Sequence, residues 1–390
     1  MEKHAILSPS ASHRWLNCTA APALEANMPE ETSLYAEEGT LAHAICEAKL
    51  HELIDGTNAE TYYRNENGKL WTEHELYQPE MEETSDYYRD VVAEKLNAAR
   101  KRTPDALLLI EVRLDFSKYI PKGFGTADAI IVGDGELDVI DYKHGKGVKV
   151  DSYRNPQMMT YALGACDRFG FEYKLETVTM TIVQPRIDNT STWEVPYDAL
   201  EAWGNEVLKP KATEAFNGTL GCKTRVVVGE WCKFCKVRQQ CKARAEAATG
   251  LLKHGDARLL STQEISQLLP QASLVKDWCS DIEDYALSLL LKGEAIDGFK
   301  VVEGRSVRKI SNPEKLYLAL KEKGYDDKSI LKPKELRSLS ELEKLVGKQQ
   351  FGNFAADYIT KPKGKPTIAF ASDKRKEYST SDDDFSHIIY

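Results

Sequence analysis

The chain has 390 residues, 42% of them hydrophobic and 29% charged, and its formal net charge is −9. That length points to about two or three domains with a substantial core, and the composition sets aside collagenous and disordered classes. No run approaches the ~18–20 apolar residues of a membrane span. The opening residues also lack the basic and apolar regions of a signal peptide, so a cytoplasmic protein without a membrane partner is expected. The charge is uneven: residues 25–90 carry 17 Asp or Glu against 4 Lys or Arg, and residues 300–376 carry 19 Lys or Arg against 10 Asp or Glu. An acidic body with a basic end argues against a nonspecific DNA coat, yet leaves a region that can meet phosphates.

In chain order, Ser8 or Ser10 can cap a short helix that carries Trp15 and Leu16 towards the core. Residues 34–55 read as a helix, because Ala36, Leu41, Ala44, Ile45, Ala48 and Leu53 form a helical stripe. Residues 56–80 are polar and turn-rich, and 81–102 read as a second helix. The period then changes. Strands are expected at Ala106–Phe116, Gly125–Val132 and Leu137–Tyr142, and the turn Gly133-Asp134-Gly135 implies that the last two form an antiparallel hairpin.

Helical spacing returns at 153–168, followed by a strand at Val178–Gln184 and a short one at Ser191–Val195. The pattern is that of an α/β core. Residues 197–220 and 262–292 read as helices. Gly298–Lys309 reads as a hairpin or two short strands, 312–360 as short helices, and 361–390 as an extended or partly disordered tail. Two domains are expected, 1–245 and a basic, partly helical accessory region over 246–390.

The meander holds the chemistry. Gly125-Thr126-Ala127-Asp128 opens one strand, and Asp141-Tyr142-Lys143 ends the next. Two carboxylates at adjacent strand ends can share a hard divalent cation, which prefers oxygen donors. Lys143 lies two residues beyond Asp141 and so shares its face, where it can stabilise charge on a phosphate. Around this pair stand His43 with Glu47 one turn on, Gln157 and Tyr161 at i and i+4, and Glu111 on the preceding strand. An outward surface position for Glu111 is at least as good a reading. Each element alone is weak; their conjunction carries the reading.

Read in order, Gly39…His43, Gly125…Asp128, Asp141-Tyr142-Lys143 and Gln157…Tyr161 resemble the motifs of the RecB-like branch of the PD-(D/E)xK nuclease superfamily. The resemblance implies a restriction-endonuclease-like core, with a small mixed sheet flanked by helices. It implies that His43, Asp128, Asp141 and the Tyr142 carbonyl bind Mg²⁺ or Mn²⁺. Lys143 would then assist the attacking water, and Gln157 and Tyr161 would position substrate. It further implies a DNA nuclease, in the first instance an exonuclease on single strands or duplex ends. A non-catalytic DNA-binding or scaffolding subunit is the alternative. Trp15, Tyr153, Tyr161 and Trp231 are available for stacking unpaired bases, although core packing is the commoner fate of such residues.

Cys232-Lys233-Phe234-Cys235 followed by Cys241 is a ligand set that needs a fourth member, with Cys222 near in sequence and Cys18 far from it. In iron–sulfur RecB-like nucleases, including the AddB-type and CRISPR-adaptation enzymes, one N-terminal cysteine joins three C-terminal ones. That resemblance implies a four-iron four-sulfur cluster on Cys18, Cys232, Cys235 and Cys241. Structural Zn²⁺ on the same ligands stays open, as does redox gating of the nuclease. Beyond residue 245 the chain is similar to a phage- and prophage-encoded family with a RecB-like core. This implies a replication or recombination setting in a bacterial host, with single-strand-binding, helicase or polymerase proteins as partners. Arg305, Arg308 and Lys309 could contact phosphates there.

Overall fold

The computed structural model describes residues 5–29, 33–250, 261–304, 309–332, 335–336, 339–360, 366–370 and 378. It divides into two compact units, Met1–Leu274 and Val275–Tyr390. No helix among the described residues is long and apolar enough to cross a membrane.

The first unit opens with a 3-10 turn, Pro9–Ala11, then α1 (Ser12–Asn17) and α2 (Ala21–Glu25). The helix α3 (Leu34–Asp55) starts where Ser33 accepts the amide of Ala36 and stops where Gly56 takes φ 74. The stretch expected to be turns holds a further helix, α4 (Ala59–Asn67), whose Tyr63 packs edge-on against Trp71. The helix α5 (Glu80–Arg102) has three acids in its first turn and three bases in its last, matching the helix dipole.

Five strands follow: β1 (Leu107–Asp115), β2 (Phe124–Gly133), β3 (Glu136–Tyr142), β4 (Thr177–Gln184) and β5 (Asn189–Pro196). They form one sheet in sequence order, antiparallel at every step except β3 to β4. A parallel step needs a crossover, supplied by α6 (Pro156–Tyr173), which begins at an Asn155 side chain that accepts the amides of Gln157 and Met158. The unit continues through α7 (Tyr197–Trp203), a π-turn (Gly204–Leu208), α8 (Lys209–Thr219) and α9 (Lys242–Gly250). This is a mixed α/β fold with a five-stranded mixed sheet flanked by helices.

Each face of the sheet has its own core. On one, Ile130, Val139, Met180 and Ile182 pack under Met158, Ala162 and Leu163 of α6. On the other, Ala129, Ile131 and Ile140 pack with Ala42 and Cys46 of α3 and with Tyr88 and Val92 of α5. Alternation along the strands explains this division. It is broken at one place, and the candidate site lies there.

The helix α10 (Thr262–Leu291) contains the boundary between the units. In the second unit, β6 (Phe299–Glu303), β7 (Lys309–Ile310), α11 (Pro313–Glu322), α12 (Asp327–Ile330), β8 (Leu331–Lys332), β9 (Glu335–Leu336), α13 (Leu339–Val346), α14 (Lys348–Ala355), β10 (Ile359–Thr360) and β11 (Pro366–Phe370) follow in order. Of the two readings for Gly298–Lys309, two short strands is the one found, since β6 pairs with β11 and β7 with β10. Part of the expected tail is therefore an ordered strand. Leu316, Leu320, Ile330, Leu342 and Phe351 form the core of this unit. Arg305 and Arg308 lie outside the described residues.

Candidate functional site

Glu111 interrupts β1 with a left-handed backbone, φ 47. The β1–β2 ladder passes from Ile110↔Ala129 to Val112↔Ala127 and skips Glu111 and Asp128. Across this break the faces exchange. Leu108 and Ile110 pack with α3 and α5, whereas Val112 and Leu114, of the same parity, lie in the α6 core. The β2–β3 ladder also ends at Ala129↔Ile140. Asp128 is the next residue, and its Oδ2 accepts the backbone amide of Tyr142 at 2.8 Å, where a carbonyl would otherwise continue the ladder. The broken register turns Asp128 and Glu111 towards a gap between α3 and the end of β3.

His43, from α3, places Nδ1 3.4 Å from Asp128 Oδ1, with its ring edge-on to Tyr142. His43, Glu111 and Asp128 each present one donor atom, and the three atoms lie within 4.8 Å of one another. Asp141 enters from the α6 face. Its Oδ2 is 2.8 Å from Lys143 Nζ, and its Oδ1 accepts Gln157 Nε2 at 3.2 Å. Lys143 in turn donates to Gln157 Oε1 at 3.2 Å. Asp141 is buried, and the Lys143 ammonium is the partner of its Oδ2. Tyr161 is buried beneath these groups and bonded to Gln157, and a Cβ on Gly125 would stand 3.1 Å from its ring.

The electrostatics are those of excess negative charge held by borrowed protons. Burial raises Glu111, helped by the charges of Asp128 and Glu47, to about 8. Burial would lower His43, but Asp128 outweighs it and carries the imidazole up to about 9. Burial raises Asp141; Lys143 opposes this and Asp128 adds to it. Burial would lower Lys143, yet Asp141 raises it above the ordinary lysine value, so it keeps its charge. Asp128, despite burial, is held below the usual carboxylate range by His43. Three carboxylates around two cations is a donor set that a divalent cation would suit.

Behind the site, a second polar network joins α3 to the strand ends. Tyr142 Oη donates to Thr84 Oγ1 at 3.0 Å and lies 3.0 Å from His144 Nδ1. Arg186 Nη1 lies 2.9 Å from Glu38 Oε1 and 3.1 Å from His144 Nε2, and Arg186 also pairs with Glu80 at 2.8 Å. No sequence motif announced Arg186 or Glu38. Glu111, for which the sequence left open both a place beside the site and an outward one, is turned inward.

Of the four aromatics considered for stacking, Trp15 is 1% exposed and donates to Ser8 O, and Tyr161 is in the core; neither is free to meet a base. Trp231 is half-buried against Cys18, Ala20 and Ala21. Tyr153 is 60% exposed.

Cys18, Cys232, Cys235 and Cys241 line one small cavity with Arg14, Trp231 and Arg244. Cys222 is exposed and lies outside it. Hydrogen bonds zip the segments that carry them: Arg14 donates to Phe234 O at 2.8 Å and to Glu25 at 2.9 Å, and Glu25 accepts the amide of Lys236 at 2.8 Å. Burial, with Glu25 alongside, pushes Cys235 up to about 12.

A solved structure titled "Crystal structure of SSO0001" aligns with 60% of this chain and 96% of its own at 15% identity, with a TM-score of 0.21, a likeness that carries no argument. A family model described as "Protein of unknown function (DUF2800)" matches residues 4–376. The chain therefore belongs to the DUF2800 family.

Proposed function

We propose that this protein is a Mg²⁺- or Mn²⁺-dependent DNA nuclease with a RecB-like PD-(D/E)xK core. The observation that carries the reading is the convergence of His43, Glu111 and Asp128, with the Asp141–Lys143 ion pair near enough to act on them by its charge. Carboxylates crowded together out of water cost free energy that a divalent cation would recover. His43, Asp128 and Glu111 are the donors that the geometry brings together and would hold the ion, with Asp141 and the Tyr142 carbonyl, which the resemblance supplies, completing the set.

A bound divalent ion would acidify a water and neutralise phosphate charge. Asp141 would orient such a water by accepting its hydrogen bond. Lys143, kept protonated by Asp141, offers its charge to the phosphate oxygens as the water oxygen bonds to phosphorus and the ester bond breaks. Gln157 ties Asp141 to Lys143 and fixes both. Tyr161 supports Gln157 from the core, a positioning role in place of substrate contact.

For the cysteines we favour the four-iron four-sulfur cluster over zinc. Four cysteines around one small cavity are a ligand set for such a group, and the resemblance to iron–sulfur nucleases favours the cluster. The group would join the N-terminal segment to the end of the nuclease core.

The test is cleavage of labelled single- and double-stranded DNA by anaerobically purified protein in Mg²⁺, Mn²⁺ and EDTA. Cleavage should need the metal and be abolished by Asp128→Ala or Lys143→Ala in folded protein. Binding without cleavage in either metal would favour the scaffolding alternative.

A further inference from the structure

The segment between Lys143 and Gln157 is held rigid by groups that take no part in the site. Gln184, 1% exposed, donates to Val148 O at 2.9 Å and accepts the amide of Val150 at 3.1 Å. Asn189 donates to Val150 O at 2.8 Å. Buried Ser152 gives its amide to Ser191 Oγ at 3.0 Å. Asp151 accepts the amide of Tyr153 at 2.8 Å and the hydroxyl of Ser191 at 3.0 Å.

This anchoring leaves Lys146, Lys149, Tyr153 and Arg154 in solvent. Gly145 and Gly147 flank Lys146, and open space surrounds both. The one acid on the segment, Asp151, accepts both of its hydrogen bonds through Oδ1 and keeps its charge, against the three positive charges of Lys146, Lys149 and Arg154. Tyr153 stands edge-on against Trp193, with ring centres 5.3 Å apart, and the Arg154 guanidinium lies 5.5 Å from its ring. The aromatic is therefore braced while most of it stays exposed. The surface also adjoins the site. Asp141 pairs with Ile182, and Ile182 with Ser191, so the Ser191 anchor lies about 10 Å, two strand spacings, from Asp141.

We propose that this segment is the binding surface for an unpaired DNA strand, with phosphates on Lys146 and Lys149 and a base stacked on Tyr153. The inference rests on the nuclease reading and narrows its substrate. Lysines supply phosphate affinity without sequence preference. An aromatic side chain stacks on a base only where that base is not already stacked in a duplex. In a chain of net charge −9, a local basic strip is what draws a polyanion past acidic surroundings.

The experiment measures binding of the full chain, in EDTA so that no cutting occurs, to a labelled single-stranded oligodeoxynucleotide and to a blunt duplex of the same length. The single strand should bind more tightly. Tyr153→Ala should weaken that binding about 5- to 100-fold, the range of one lost stack, and Tyr153→Phe should restore most of it. Lys146→Ala with Lys149→Ala should lower the slope of log affinity against log salt by about 1.4, two single-strand phosphate contacts. Lys101→Ala with Lys209→Ala, the same charge change on exposed helix positions, should leave the slope unchanged. Equal losses in the two double variants, no effect of Tyr153→Ala, or tighter binding of the duplex would each overturn the proposal. Cleavage by wild type in Mn²⁺ is scored separately: cutting with no response to these substitutions rejects this surface and keeps the nuclease. Absence of cutting rejects the nuclease and leaves the binding result to decide the surface.

Discussion

Replacing Glu111 by Gln should stabilise the metal-free protein. The carboxyl sits at a strand position with φ 47 opposite Asp128, and burial with neighbouring negative charge pushes it up to about 8. In an unfolded chain a glutamate ionises near pH 4.3. The folded value is the higher one, so this group's contribution to stability is complete below about pH 4.3 and is lost as pH rises towards 8. Holding the proton costs about 1.4 kcal/mol per pH unit above the unfolded value, a ceiling of about 3.7 kcal/mol at pH 7. Water at the partly exposed rim of the site reduces this to about 2 kcal/mol.

Glutamine keeps the shape and has no charge to suppress. For a domain of this size, E111Q should therefore melt about 4–8 °C higher than wild type in EDTA at pH 7, and at nearly the same temperature near pH 4.5. Mn²⁺ should narrow or reverse the order, because the variant lacks one donor. At 100 times its dissociation constant the ion gives wild type about 2.7 kcal/mol. Calorimetry across this pH range, with EDTA and with Mn²⁺, makes the comparison. A variant less stable than wild type in EDTA at pH 7, or a difference that does not change with pH, would refute the reasoning.

Three further outcomes are expected. Arg186→Met breaks a pairing that ties α3, with His43, to the strand end that carries Asp141. Loss of a buried partner costs ~3–5 kcal/mol, and the half-exposed Glu80 reduces this to about 2–3, so melting should fall by about 4–12 °C. Calorimetric titration should also find Mn²⁺ bound about tenfold or more weakly; unchanged affinity would remove the positioning role. Cys235→Ser should lose the brown colour and iron of anaerobically purified wild type and melt earlier, while a colourless wild type with stoichiometric zinc would overturn the cluster assignment. Trp15→Phe should leave DNA affinity unchanged, since that ring is in the core; a large loss would place it in contact with the nucleic acid.

The helices α3 and α5 and the five strands were legible because their apolar residues repeat at periods of 3.6 and 2. The helix α4 was not: only Ala59 and Tyr63 of it are buried, too few to stand out from a polar run. The pairing of β6 with β11 joins residues more than sixty apart, and no local pattern carries such a contact. In the site, Asp128, Asp141 and Lys143 were legible from their spacing at strand ends, and His43 and Gln157 through the motif resemblance. Glu111 stayed open between site and surface, because its inward aim follows from a left-handed backbone that glutamate rarely adopts. Arg186 and Glu38 meet only because α3 crosses the strand ends, so their 148-residue separation hid them.

The most direct measurement compares wild type with Asp141→Asn for cleavage of a labelled single-stranded oligonucleotide in Mn²⁺, both proteins shown folded by circular dichroism. Wild type should cut and stop on adding EDTA, and the variant should not cut. An Asp141→Asn protein that digests the strand as fast as wild type, or wild-type cutting that persists in EDTA, would contradict a metal-activated hydrolysis at this gap.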